Sequence, residues 1–478
     1  MDNTTEDANT DESSANNVRL SYKSKVAYGV GHVLNDVCAS MWFTYLLVYF
    51  HLVLEFSPVY AGVILLIGQV ADALATPFVG LHSDKNDDFW LCRYGRRKTW
   101  HLTGTICVLG TFPFIFSQCL GCEGSHQWAQ LIYYSAFVII FQFGWASVQI
   151  SHLSLIPDLT KLRDERTHLT AIRYSFTVLS NVLMYVITWA ILRVTSEDTL
   201  QQIGPKDAHK FQQIVLIGMG IGLLFTIIFH VCVKEKKLNR LLDNTSQEPQ
   251  PIPSPLALFK DPELYQVALI YMPTRLFVNL TQTYVPLYLH ETLKMPGTAL
   301  AIIPLIMYLS CFKASFTIQW INKKCGRKIA YLIGALMGLS FCAGILFVPY
   351  EQLKTLFIYP CSLLLGGGGS MMLVTSLAIT ADYIGQGIEN GAFVYGIMSF
   401  ADKLSNGIAV MAIQYMHCTS GDCSNYYKNI LVYVCGGAAI FGLVMTLCRK
   451  TPTDSSNENY NSLEGAETPR DDNIASNA

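Results

Sequence analysis

An all-α integral membrane protein of twelve transmembrane helices is what this chain encodes, on three grounds. Its 478 residues are 51% hydrophobic and only 14% charged, whereas soluble domains carry about 25% charge. The apolar residues gather into blocks of the roughly 20 residues that a helix needs to cross a bilayer. Twelve such blocks follow one another, near 25–54, 58–82, 99–119, 128–152, 171–194, 211–233, 264–290, 298–321, 329–349, 355–382, 391–415 and 428–448. A formal net charge of −2 supplies no basic field, so nucleic acid is not an expected partner.

Residues 1–22 are acidic and polar and lack the apolar core of a cleaved signal. They predict a tail, and the first span acts as its own insertion signal. An even number of spans puts both termini on one side. The connection after span two carries Arg93, Arg96, Arg97 and Lys98, and the one after span four carries Lys161, Arg163 and Arg166. Those after spans six and eight carry Lys234, Lys236, Lys237 and Arg240, then Lys323, Lys324, Arg327 and Lys328. Cations concentrate on cytosolic loops, so these ends and both termini are expected in the cytosol.

The polar connection 234–262, with Pro251, Pro253 and Pro255, divides the chain into six-helix halves, 23–233 and 263–448, followed by a cytosolic tail 449–478. Each half repeats a basic turn between its second and third spans: Asp84, Arg93, Gly95 and Arg96 in the first, Gly326 and Arg327 in the second. We assign these turns a gating role. Two six-helix bundles related by a pseudo-two-fold axis along the membrane normal form the major facilitator plan.

Charge inside a bilayer is costly and marks a pathway. Here the polar residues fall at helical spacing. Span one carries His32, Asp36 and Ser40; span two carries Gln69, Asp72 and Thr76; span four carries Gln142, Trp145, Gln149 and His152. Span seven carries Arg275, Asn279 and Gln282, and span eleven carries Ser399, Asp402, Lys403 and Asn406. Steps of three and four place each set on one side of its helix, so these five spans are expected to surround a polar cavity. Lys403 is a candidate for an ion pair with its neighbour Asp402. The run Gly366–Gly369 in span ten predicts either a hinge or a close packing seam.

At span two the stretch Gly68-Gln-Val-Ala-Asp72-Ala-Leu-Ala-Thr76-Pro77-Phe-Val-Gly80-Leu-His-Ser-Asp84 resembles the signature of the glycoside–pentoside–hexuronide cation symporters of the major facilitator superfamily. The resemblance implies a substrate-binding acid at Asp36, half of a cation site at Asp72, and basic residues at Arg173 and Lys403. Thr76 replaces the second acid of the cation site, Gln149 an acidic sugar ligand and Leu153 a stacking aromatic, which argues against sodium–sugar symport. The stretches Tyr28-Gly-Val-Gly-His32-Val-Leu-Asn-Asp36-Val and Ser399-Phe-Ala-Asp-Lys403-Leu-Ser-Asn-Gly407 more closely resemble a eukaryotic branch of that superfamily, the domain-containing protein twelve group. That resemblance implies import of cysteine into lysosomes and melanosomes.

The implied solute is a zwitterion. Asp36 suits its ammonium, and Arg173 and Lys403 suit its carboxylate. Gln149, Arg275 and Asn279 complete the expected substrate set, with Asp72 and His32 as coupling or proton-carrying groups. Asp72 serves either pH coupling or an interhelical ion pair. Of 14 cysteines, Cys119, Cys122, Cys418 and Cys423 fall in loops on the non-cytosolic side, where disulfides form within a loop or between halves. Tyr460-Asn-Ser-Leu463 in the C-terminal tail fits the tyrosine–x–x–apolar pattern that clathrin adaptors read. No cofactor or metal site is expected, and the expected state is a monomer in contact with membrane lipid. Another small polar or lipid-like solute is the alternative substrate. A non-transporting scaffold would not need midplane charge, and no HEXXH, GXSXG or P-loop pattern points to an enzyme.

Overall fold

A computed structural model describes residues 20–83, 94–122, 124–160, 162–194, 201–235, 259–384, 391–417 and 424–449. These residues form helical rods close to the apolar blocks. We number them α1 (Tyr22–Val53), α2 (Pro58–Ser83), α3 (Arg96–Ile115), α4 (Gln127–Leu159), α5 (Arg163–Val194) and α6 (Pro205–Cys232). The second half follows as α7 (Pro262–Leu287), α8 (Ala299–Asn322), α9 (Lys324–Phe347), α10 (Tyr350–Ile384), α11 (Gly391–Tyr415) and α12 (Tyr426–Cys448). Nine of these, among the described residues, are long and apolar enough to cross a membrane. The others are α3, α7 and α11. Their sequences explain why: α3 opens on Arg96-Arg97-Lys98, α7 holds Glu263 and Arg275, and α11 holds Asp402 and Lys403.

Local chemistry sets the ends. Pro58 and Pro262 open α2 and α7, where a missing N–H costs nothing, and the Asp261 carboxylate accepts from the Glu263 N–H at 2.9 Å. Gly95 (φ 130°) precedes α3 and Gly326 (φ 83°) kinks the chain just inside the start of α9, conformations closed to most L-residues. α1 is irregular, tightening to a 3₁₀ turn at Val30–His32 and widening to π turns at Met41–Tyr45 and Tyr49–Val53. Such departures recur at functional sites.

Glycines bring helices together at equivalent places in the two halves. A Cβ on Gly104 of α3 would stand 2.6 Å from the Gly144 carbonyl of α4, and one on Gly334 of α9 would stand 3.0 Å from the Gly368 carbonyl of α10. A Cβ on Gly366 would collide with the Met307 backbone of α8. The Gly366–Gly369 run therefore lies in a packing seam, and the helix passes through it unbroken over Ile358–Ile384. Outward faces are apolar: α6 exposes Leu216, Leu224 and Val231, and α12 exposes Ile440, Val444 and Leu447. Apolar side chains facing outward suit lipid, because helices satisfy their own backbone groups.

Candidate functional site

α1 and α5 run side by side as two rails with polar rungs. His32 Nε2 lies 2.9 Å from Arg173 Nη2. Thr177 donates to Asp36 Oδ2 at 3.0 Å, and Ser40 donates to Asn181 at 2.7 Å. Thr44 and Tyr185 share a hydrogen bond of 2.9 Å. Each pair steps four residues along both helices, so one face of each rail meets the other in register. On the α1 rail itself, His32 Nδ1 sits 3.0 Å from Asp36 Oδ1. The His32 imidazole thus stands between a buried carboxylate and a guanidinium. Arg173 Nε is buried without a hydrogen-bond partner, an unspent donor facing no protein acceptor.

The second half holds its charge differently. Asp402 of α11 receives Arg275 Nε at 2.8 Å, Asn406 Nδ2 at 2.6 Å and Asn279 Nδ2 at 3.5 Å. Asp402 and Lys403 do not pair, contrary to expectation. Neighbours in sequence point about 100° apart around a helix, so Lys403 leaves its own half. Its ammonium lies 2.8 Å from Asp72 Oδ1 of α2 and donates to Thr76 at 2.7 Å. Of the two roles open to Asp72, the geometry displays the ion pair. Arg275 and Asn279 belong to the Asp402 cluster. A small cleft lies between α2, α7 and α11, lined by Gln69, Asn279 and Asn406 among others.

Gln149 is not brought to this centre by any hydrogen bond; its amide oxygen accepts from Trp145 Nε1 at 3.1 Å. His152 is a packing group, stacked on Tyr28 with ring centroids 4.2 Å apart and bound to the Tyr28 carbonyl at 2.8 Å. At the end bearing the basic loops, Arg97 pairs with Asp158 at 3.0 Å and Arg327 with Asp382 at 3.0 Å. The two turns therefore tie α3 to α4 and α9 to α10 in the same manner. Glu235 accepts from the N–H groups of Arg97 and Lys98 at 3.1 and 3.2 Å, which seats Gly95 and Arg96 against the end of α6. Just before the apolar part of α5, the Lys25 ammonium donates to Glu165 at 2.9 Å and holds that carboxyl below its ordinary range. The sulfurs of Cys119 and Cys122 meet within one turn, their Cα atoms 5.4 Å apart. Asp84, Arg93, Cys418, Cys423, Tyr460 and Leu463 lie outside the described residues.

At the opposite end the halves are tied together. His51 of α1 bonds Glu291 at 2.8 Å, and Tyr45 donates to the Leu300 carbonyl at 3.0 Å. Gln202 donates to the His290 carbonyl at 3.1 Å, and Gly297 N–H to the Gln201 carbonyl at 3.0 Å. Gln282 reaches across from α7 to Thr44 at 3.1 Å. Thr177, Asn181 and Tyr185 were missed in the sequence. Their spacing of four was the available signal, but hydroxyls and amides stand out little in an apolar helix.

Residues 27–423 match the family described as MFS/sugar transport protein. The chain is 45% identical over 451 residues to "Major facilitator superfamily domain-containing protein 12" of Homo sapiens, covering 90% of this chain and 92% of that one. It is 25% identical to "Sodium-dependent lysophosphatidylcholine symporter 1" of Gallus gallus over 68% of this chain and 64% of the relative. Among solved structures, nucleoside transporter NupG superposes with a TM-score of 0.65 at 14% identity, covering 89% of this chain and all of the other (100%). The D-xylose-proton symporter from a second structure gives 0.61 at 14% identity, covering 89% and 95%. These likenesses establish the major facilitator fold.

Proposed function

The chain belongs to the MFS/sugar transport protein family, a membrane transporter rather than an enzyme, and on that premise we propose that it carries cysteine from the cytosol into lysosomes and, in pigment cells, melanosomes. One observation carries the reading. Buried Asp36 and half-buried Arg173, groups of opposite charge, meet the two sides of one imidazole, and Arg173 keeps an unpartnered Nε. A free amino acid presents the complementary pair. Its ammonium takes the Asp36 oxygen that faces His32, and its carboxylate takes the open side of Arg173, each as a charge-assisted hydrogen bond.

Alternating access requires bonds between halves that can be exchanged. Asp72–Lys403 has that character, because it joins α2 to α11 across the two halves. A proton on Asp72 would release Lys403, and this is how a pH gradient would bear on the cycle. The bonds joining the halves at the end opposite the basic loops close that end. The Tyr460–Leu463 pattern supports a lysosomal address through a clathrin adaptor.

The test is uptake of labelled cysteine, cystine and other amino acids into organelles with and without the protein, at two luminal pH values. Uptake of cysteine alone that depends on the protein is expected. Equal uptake of other solutes, or none of cysteine, would overturn the substrate. If Asp36→Asn left uptake of every amino acid unchanged, the ammonium would be bound elsewhere.

A further inference from the structure

We propose that the chain carries a divalent-cation site of the zinc class at the end opposite the basic loops, formed by His51, Glu291 and His417. One ligand atom from each residue lies within 4.8 Å of the others. His51 Nε2 and Glu291 Oε1 are already 2.8 Å apart, and the His51 and His417 rings lie 5.6 Å apart in an edge-to-face arrangement. Zinc with imidazole and carboxylate ligands at about 2.0–2.2 Å sets ligand atoms about 3.3–3.6 Å from one another. The cluster needs side-chain shifts of about an ångström to close on an ion.

Two observations separate this cluster from an ordinary His–Glu hydrogen bond. His417 Nε2 is buried without a hydrogen-bond partner, and a buried imidazole nitrogen left unpaired is costly. His417 is also held in place, its ring against Tyr426 and Tyr427 at 4.9 and 5.6 Å. Two imidazoles and one carboxylate form a borderline donor set that suits zinc, and three protein ligands leave a fourth position for water.

The three ligands come from both halves. His51 ends α1, Glu291 follows α7, and His417 follows α11. An ion bound there sews the first half to the second and holds this end shut. Zinc reaching that side therefore slows transport by trapping the closed end, whatever the solute.

The test uses the purified full chain at neutral pH, in buffer free of cysteine and other thiols. Competition against a chelating dye should give one zinc equivalent that is lost, or weakened at least tenfold, in both His417→Ala and Glu291→Gln. In proteoliposomes, zinc on the side of this cluster should slow uptake, with half-inhibition shifted at least tenfold in the same variants relative to each variant's own zinc-free rate. X-ray absorption of the zinc-loaded unmodified chain should show a nitrogen and oxygen shell, a readout that needs no variant to fold. A sulfur shell, or zinc affinity and inhibition equal in the unmodified chain and Glu291→Gln, would overturn the site.

Discussion

In the first half, polarity is spread along two rails. Four rungs between α1 and α5 use one acid, one guanidinium and otherwise neutral hydroxyls, amides and rings. In the second half it is concentrated at one carboxylate, Asp402, which gathers Arg275, Asn279 and Asn406. The rails leave partly unsatisfied groups, Arg173 Nε among them, whereas Asp402 is nearly saturated. A site that must release its ligand profits from the first arrangement. A bundle that must move as a unit profits from the second.

This contrast can be broken most severely at Asp402. Asp402→Ala leaves the half-buried Arg275 cation without its carboxylate, a loss of about 3 kcal/mol, the low end for a buried pair because part of the Arg275 side chain meets solvent. It should appear as a large fall in thermal stability of the purified protein. A fall no larger than that of Ser40→Ala would mean that the second half is not organised around this carboxylate. Next in size is the pair that joins the halves. Lys403→Met strands Asp72 and should cut initial uptake roughly tenfold or more, a barrier change of at least about 1.4 kcal/mol. Adding Asp72→Asn removes the stranded charge and should restore part of the rate. A double variant no faster than the slower single one would rule out this coupling.

The rungs should each matter less. Hydrogen bonds between membrane helices average about 0.6 kcal/mol, so a double-mutant cycle of Ser40→Ala with Asn181→Ala should give coupling of about that size. Coupling of several kcal/mol would mean that the rails are no softer than the Asp402 cluster. The smallest effect lies outside the membrane, at Glu165. Lys25 holds this carboxyl below its ordinary value, so it stabilises the fold above the unfolded carboxylate range. That contribution disappears as pH falls through the folded value. Melting temperatures of the unmodified chain and Glu165→Gln should therefore converge in acid and separate near neutrality.

The spans and the stripes on α1, α2, α7 and α11 were legible because burial in lipid writes itself as apolar blocks and side-chain faces as steps of three or four. The partners were not legible. Asp402 and Lys403 are adjacent in sequence but serve different halves, since helix neighbours diverge by about 100°. Thr177, Asn181 and Tyr185 carry no charge to mark them, and their role exists only through the register of α5 against α1. Gln149 sits on an expected face yet bonds Trp145 on its own helix. His51, Glu291 and His417 are far apart in sequence and meet only once α1, α7 and α11 end at one place.

Equal four-residue rungs on both rails have a consequence for how the chain finds its native alignment. Slid by one rung, about 6 Å, the ladder would still match polar to polar: Asp36 would stand against Arg173, Ser40 against Thr177 and Thr44 against Asn181. Such a ladder is a ruler with identical marks and cannot locate its own zero. The zero is set by apolar packing: Gly29 of α1 leaves room for Ile172 and Phe176 of α5, whose side chains a Cβ would meet at 2.7 and 2.9 Å, and α6 fixes α1 in turn. Gly222 there leaves room for the Leu34 backbone, where a Cβ would stand 2.8 Å from the Leu34 Cα, and Gly31 of α1 leaves room for the Phe229 ring. Notches cut in apolar packing thus decide which carboxylate faces which base.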